Sequence, residues 1–196
     1  MYTFEESEKE CIENSTQSTE EEHRFLFNCA QRAPDGCIVE IGSASGGSIP
    51  CLIHGGGAGR IIYSIDPYHI DNEEVGYAGG VGPELQKRFT ENVLWKHGNV
   101  TQINKQVEHA IFDIKEPIAM IFIDGAHDYK YVYKDFWISF HKVVPFGYIA
   151  CHDKDDSSQQ GNSGCGGVDK FVREVFNNKY FHEVGMCDKI IWGRKK

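Results

Sequence analysis

Five short apolar runs constrain this chain most: CIVEI at 37–41, IIYSI at 61–65, VTQIN at 100–104, IAMIFI at 118–123 and GYIACH at 147–152. They are rich in β-branched residues, and CIVEI ends at Gly42, the pattern of a strand buried on both faces. Between them apolar residues recur at helical intervals. Thr19 precedes Glu22 by a capping-box spacing, and Phe25, Leu26, Cys29, Ala30 and Ala33 continue it as a helix over 20–33. A second helix starts near Gly47, takes Pro50 into its first turn and stops at the glycines of 55–57. Another runs from Pro83 to His97 and stops at Gly98, a short one carries Val107, Ala110 and Ile111, and 128–141 lines up Val132, Phe136 and Phe140. Residues 168–178 continue the helical pattern, and 181–186 with 189–193 read as two short strands joined by a tight turn.

Strands that alternate with helices pair in parallel through right-handed crossovers. The expected fold class is α/β: a doubly wound, Rossmann-like, mostly parallel sheet of about seven strands, with helices on both faces and an antiparallel C-terminal hairpin. A chain of 196 residues with 40% hydrophobic and 25% charged content suits one soluble core. The net charge of -9 is unevenly spread, because residues 1–22 hold eight glutamates against one lysine. That acidity belongs to an N-terminal arm, 1–18, expected as a solvated helix or frayed tail ahead of a single domain at 19–196. The body is nearly neutral and has no basic stripe, which disfavours a nucleic-acid partner. No apolar run approaches the roughly 20 residues that span a bilayer, and no signal segment opens the chain, so a cytoplasmic protein without a membrane partner is expected. Seven cysteines without a CxxC pair read as reduced thiols. The arm and first helix offer elements that can swap between subunits, a route to a homo-oligomer.

In such sheets ligands bind beyond the carboxyl ends of the strands, where strand order reverses. After the first strand come Glu40, Gly42, Ser43, Gly46 and Ser48, small or polar residues that let a ligand approach free helix amides. A dinucleotide fingerprint requires glycine at 44, where this chain has alanine. Asp66 ends the second strand, placed to accept ribose hydroxyls or, as the bland alternative, to cap a turn before Pro67. Gln106 follows the third strand, where this fold commonly touches adenine. The spacing Glu40, Gly42, Gly46 resembles the first motif of class I methyltransferases, although many members carry a third glycine at the position of Ala44.

The ends of the fourth and fifth strands carry Asp124, His127 and Asp128, then His152 and Asp153. If these strands are neighbours, Asp124 and Asp153 lie close enough to share a divalent cation, with magnesium, calcium or manganese favoured by oxygen ligands. A bound cation lowers the pKa of a substrate hydroxyl, and His127 is placed to take the proton. The run I-D-G-A-H-D-Y, with H-D at the next strand end, resembles the macrocin-type sugar O-methyltransferases and their small relatives over about residues 37–155. The resemblance implies S-adenosyl-L-methionine as cofactor, with Asp124 also touching it, and a small-molecule hydroxyl as acceptor, on a sugar or glycosylated metabolite. It further implies Mg2+ or another divalent cation on Asp124 and Asp153, and His127 with Asp124 as the catalytic pair. His152 stands where the family can have a carboxylate, as a third metal ligand or a hydrogen-bonded structural histidine. Asp124 and Asp128 can alternatively cap the following helix.

The segments Tyr68–Gly82 and Lys154–Gly167 flank this site and read as lids, with Tyr68, Tyr77 and Tyr129 as aromatic faces for a cationic donor or a sugar. Two other classes remain open at this point: a nicotinamide-dependent oxidoreductase, against which Ala44 argues, and a non-catalytic adenosine-ligand or metal-binding module.

Overall fold

The computed structural model describes residues 2–14, 16–68, 82–154 and 166–196. Its strands are β1 (Cys37–Ile41), β2 (Ile62–Ile65), β3 (Val100–Ile103), β4 (Ile118–Ile123), β5 (Val143–Cys151), β6 (Phe181–Cys187) and β7 (Ile190–Lys195). They form one sheet in the order β3-β2-β1-β4-β5-β7-β6, parallel from β3 to β5, with β7 antiparallel to both of its neighbours. This is the doubly wound α/β sheet that the alternating pattern predicts. The C-terminal hairpin inserts its second strand, β7, beside β5 and leaves β6 at the edge. Every residue of β1, β2 and β4 is buried, so both faces of the central strands are covered.

Helices cover the two faces as separate cores. On one face α5 (Val107–Ala110), α6 (Tyr129–Phe140) and α7 (Gly166–Val175) bring Val107, Phe136 and Phe171 against Val39, Ile121 and Ile149. On the other, α1 (Phe4–Glu13), α2 (Glu20–Arg32), α3 (Ile49–Gly56) and α4 (Gly82–Phe89) bring Cys11, Leu26, Leu52 and Phe89 against Ile38, Met120 and Phe122. Consecutive strand residues go to opposite cores, as the two-residue strand period demands. Among the described residues no helix is long and apolar enough to cross a membrane, and the six described cysteines are free.

Three segments differ from the sequence expectation, each for an identifiable reason. Residues 4–13 are helical, but the helix is docked rather than solvated: Phe4, Ser7 and Cys11 share a buried face while Glu5, Glu6 and Glu13 point outward. The helix expected over 83–97 ends at Phe89 and passes into a π-helical turn at Thr90–Leu94, which seats Val93 and Phe89 beneath Gly46. β5 begins at Val143, four residues before the predicted start, with a register irregularity and Phe146 in the left-handed region at φ 63°.

The register positions the site. Ile41 pairs with Ile123 and Ile123 with Cys151, so Gly42, Asp124 and His152 leave three adjacent strands side by side. Gly42 has φ 88°, and a Cβ there would lie 2.2 Å from the Asp124 carbonyl oxygen. Gly42→Ala should therefore force apart the ends of β1 and β4 and strain the backbone, at about 2–4 kcal/mol. For a chain of this size that lowers Tm by roughly 5–15 °C in a thermal melt. A melt within 1 °C of the parent would contradict the close approach.

Candidate active site

Sequence-predicted residues form two groups at the carboxyl edge of the sheet. The first surrounds the glycine loop. Ala44 sits at φ 42°, the left-handed conformation that a glycine adopts without strain, so the loop keeps its path despite the alanine. Its N–H donates to Asp66 Oδ2 at 2.9 Å, while Asp66 Oδ1 accepts the Tyr68 N–H at 3.1 Å and the Tyr68 hydroxyl donates to the Ala44 carbonyl at 2.7 Å. Asp66 is thus buried under the loop as its brace, and burial raises its pKa against these two amides. Tyr68 is buried as part of the same brace, Tyr129 donates its hydroxyl to Glu174 at the surface, and Tyr77 lies outside the described residues.

Glu40 has no solvent exposure. Ser48 Oγ donates to its Oε1 at 2.6 Å, whereas Oε2 has no hydrogen-bond partner among the described residues. Burial pushes its pKa up to about 7, against the hydroxyls of Ser48 and Ser43. Ser64 Oγ donates to Ser43 Oγ at 2.7 Å, tying the loop to β2. Gln106 stands apart at the N-cap of α5, half-buried beyond the end of β3, and its side chain makes no cap hydrogen bond.

The second group is a cluster of carboxylates and imidazoles. His127 Nε2 meets Asp153 Oδ2 at 2.7 Å, and His152 Nδ1 lies 3.3 Å from both Asp124 Oδ1 and Asp153 Oδ1. Asp153 takes φ 62°, a left-handed turn that aspartate tolerates and that aims its carboxylate between the two histidines. Burial opposes charge on Asp153, but His127 and His152 win and hold it well below the usual carboxylate range. Asp124 is raised by burial, with His152 pulling the other way. Asp153 raises His127, and burial only partly offsets it. For His152 burial is outweighed by Asp124, Asp153 and Glu22, so the ring is held as an imidazolium. Ligand atoms of Asp124, His152 and Asp153 all fall within 4.8 Å of one another. Asp128 occupies the N-cap of α6 without a side-chain cap bond.

Four contributors have no counterpart among the sequence candidates. Glu22 does cap α2 with Oε2 on the Thr19 N–H, and its Oε1 reaches 3.1 Å from His152 Nε2 and accepts the Lys189 N–H. The capping box was the visible signal, and it gave only half of the residue's role. Asn14 Nδ2 donates to the Gly46 carbonyl at 2.9 Å, Thr16 packs on Gly47, and Asn92 Nδ2 donates to the Ser45 carbonyl at 3.3 Å. Nothing local in the sequence marks these, because Asn14 and Thr16 depend on α1 docking over the loop and Asn92 on the π-helical turn packing against it. Most of both proposed lids lies outside the described residues.

Glu40 makes stability depend on pH. A carboxyl whose folded pKa is about 7 and whose ordinary value is 4.5 binds more protons when folded, so stability falls as pH rises between those values. Glu40→Gln removes that loss. Urea unfolding should show the variant equal to the parent near pH 4.5 and more stable by about 3 kcal/mol above pH 7. A pH-independent difference would refute this assignment.

The fold has known relatives. Residues 39–154 match the model of the family described as Methyltransferase domain. Over 147 residues the chain is 30% identical to "Uncharacterized protein R132" of Acanthamoeba polyphaga mimivirus, which takes in 72% of this chain but only 62% of that protein. Among solved structures, an O-methyltransferase from Bacillus cereus in complex with SAH superposes with TM-score 0.67 at 16% identity, covering 97% of this chain and 91% of that one. The SAH-bound Podospora anserina methyltransferase PaMTH1 gives TM-score 0.66 at 18% identity, covering 96% and 86%. The family match decides against the nicotinamide-dependent reading, and with its glycine loop at the β1 end and its class I strand order, this chain belongs to the methyltransferase-domain family.

Proposed function

We propose that the protein transfers a methyl group from S-adenosyl-L-methionine to a hydroxyl of a small molecule, a sugar or glycosylated metabolite, with a divalent cation in attendance. The observation that carries this reading is the convergence of Asp124, His127, His152 and Asp153 directly beside the glycine loop, linked to it by the Asp124 N–H donating to the Ile41 carbonyl at 2.8 Å. The residues suit both groups. Glu40 Oε2 is a buried acceptor with no hydrogen-bond donor among the described residues, which fits the ammonium of an amino-acid-bearing cofactor. Asp124, Asp153 and Glu22 meet the imidazoles of His127 and His152, three carboxylates against two rings, a charge balance that suits a divalent cation.

When bound, the cofactor supplies an electrophilic methyl and the cation lowers the pKa of the acceptor hydroxyl. Glu40, Gly42, Ser43, Gly46 and Ser48 form the cradle for the cofactor, with Asp66 bracing the loop for the ribose and Gln106 flanking the adenine side. Asp124 and Asp153 hold the cation. His152 joins them through Nδ1 once that nitrogen gives up its proton, while Glu22 keeps the opposite N–H, the carboxylate–histidine arrangement that orients a ligating ring. His127 donates Nε2–H to Asp153 and takes the hydroxyl proton at Nδ1.

Calorimetry with S-adenosylhomocysteine should give one site per chain, and absence of binding at millimolar ligand would sink the proposal. His127→Ala should lower turnover by at least about 100-fold while leaving that binding intact; unchanged turnover rejects the base. Because Asp153 raises His127 above 6.5 and the base acts when neutral, kcat/KM should rise with pH through a value above 6.5. A rise centred below 6.5 would contradict the Asp153–His127 pairing.

A further inference from the structure

A second cluster, on the face of the sheet covered by α1 and α3, takes no part in the chemistry above. Glu10 lies on α1, His54 near the end of α3, and His97 just beyond the π-helical turn that follows α4. His97 Nε2 is 2.8 Å from Glu10 Oε2, His54 Nε2 is 3.5 Å from Glu10 Oε1, and the three ligand atoms lie within 4.8 Å of one another. The His54 side chain is 2% exposed, and among the described residues neither of its ring nitrogens has a hydrogen-bond partner. Tyr2 stacks flat on the ring at 4.3 Å and His97 meets it edge-on. Burying an imidazole without a partner costs free energy that folded proteins seldom leave unrecovered. A residue in that condition, facing a second imidazole and a carboxylate, has the surroundings of a ligand.

We propose that Glu10, His54 and His97 bind a divalent cation of the zinc class at a site separate from the catalytic cluster. Two imidazoles and one carboxylate are a donor set that suits zinc and disfavours magnesium. A tetrahedral zinc ion with bonds of about 2.0–2.2 Å separates its ligand atoms by about 3.3 Å. The two contacts use different Glu10 oxygens, and the carboxylate ligates through one of them: through Oε2, the 2.8 Å contact to His97 opens by about half an ångström as the ion replaces the proton between them. Burial keeps His54 neutral, against the pull of Glu10, and the neutral ring is the form that ligates. The three ligands are remote in sequence, so the ion staples α1 to α3 and to the turn at 97. Since Asn14 and Thr16 at the end of α1 cover the glycine loop, the staple secures that cover.

The test is titration of the full chain with zinc chloride against a chromophoric chelator, on the parent, on His97→Gln and on Asp124→Asn with Asp153→Asn. The parent and the doubly substituted active-site variant should both keep one tight zinc equivalent, whereas His97→Gln should weaken it by about 100-fold or more. Equal zinc affinity in His97→Gln and the parent overturns the proposal, as does loss of the tight equivalent in the active-site variant. If His97→Gln does not fold, anomalous diffraction at the zinc edge from parent crystals grown with zinc chloride decides. A peak among Glu10, His54 and His97 supports the site, and its absence there refutes it.

Discussion

The contact between the ends of β1 and β4 sets everything at the carboxyl edge of this sheet. The Asp124 N–H donates to the Ile41 carbonyl at 2.8 Å, and the Asp124 carbonyl occupies the space that a side chain at residue 42 would need. One residue after that contact, each strand departs into its own chemistry: β1 into the glycine loop, β4 into the Asp124–His127 turn. The glycine loop and the aspartate–histidine cluster are therefore fixed relative to one another by main-chain packing, which is far stiffer than any side-chain bridge. Such a site, built on strand ends instead of free loops, holds its geometry when flanking segments change.

Electrostatics within the cluster follows from this crowding. Parallel strands about 4.8 Å apart deliver Asp124, His152 and Asp153 into one small volume, and water is partly excluded from it. Two histidines and three carboxylates then settle into alternating contacts, Glu22 to His152, His152 to Asp124 and Asp153, and Asp153 to His127. Each neighbour stabilises the charged form of the next, so the network favours whichever cation, proton or metal, occupies its centre. Glu40, by contrast, meets the hydroxyls of Ser48 and Ser43 with no histidine among its influences, and burial pushes it toward its neutral form. Glu40 and Asp153, both at the carboxyl edge of the sheet, are thereby tuned in opposite directions.

The sheet was legible because its signal is local and repeated. Runs such as IAMIFI and CIVEI are apolar at every position, and only a strand covered on both faces needs that. The Asp124, His127, His152 and Asp153 group was legible for a related reason: residues at successive strand ends become neighbours as soon as the parallel order is right. Glu22, Asn14, Thr16 and Asn92 were not legible, since each reaches the site across a helix-to-sheet or helix-to-loop contact that has no periodicity. The π-helical turn at Thr90–Leu94 was hidden too, because its inserted residue answers to the packing of Val93 and Phe89 under Gly46 and not to any local preference. Asp66 occupied the predicted place yet spends both oxygens on loop amides, a partition that depends on the left-handed turn at Ala44.

The acidic N-terminal segment shows how composition conceals structure. Counted as charge, residues 1–22 look like a solvated arm, because a count has no direction. On a helix the same residues separate by face: Glu5, Glu6 and Glu13 meet solvent, while Phe4 meets Phe27 of α2 and Ser7 and Cys11 meet Cys51 of α3, with the Cys11 and Cys51 sulfurs 3.3 Å apart. Glu20 and Glu21 are exposed as well, but three acids of the segment are held against imidazoles. Glu8 pairs with His23 at 2.6 Å, Glu10 faces His54 and His97, and Glu22 carries His152. Each of these three glutamates meets a histidine from another element, so part of the N-terminal acidity is spent on contacts that fasten α1 and α2 to the body. The segment is consequently part of the carboxyl edge of the sheet: its helix ends at Asn14 on the Gly46 carbonyl, and the first turn of the next helix supplies the Glu22 carboxylate that meets His152.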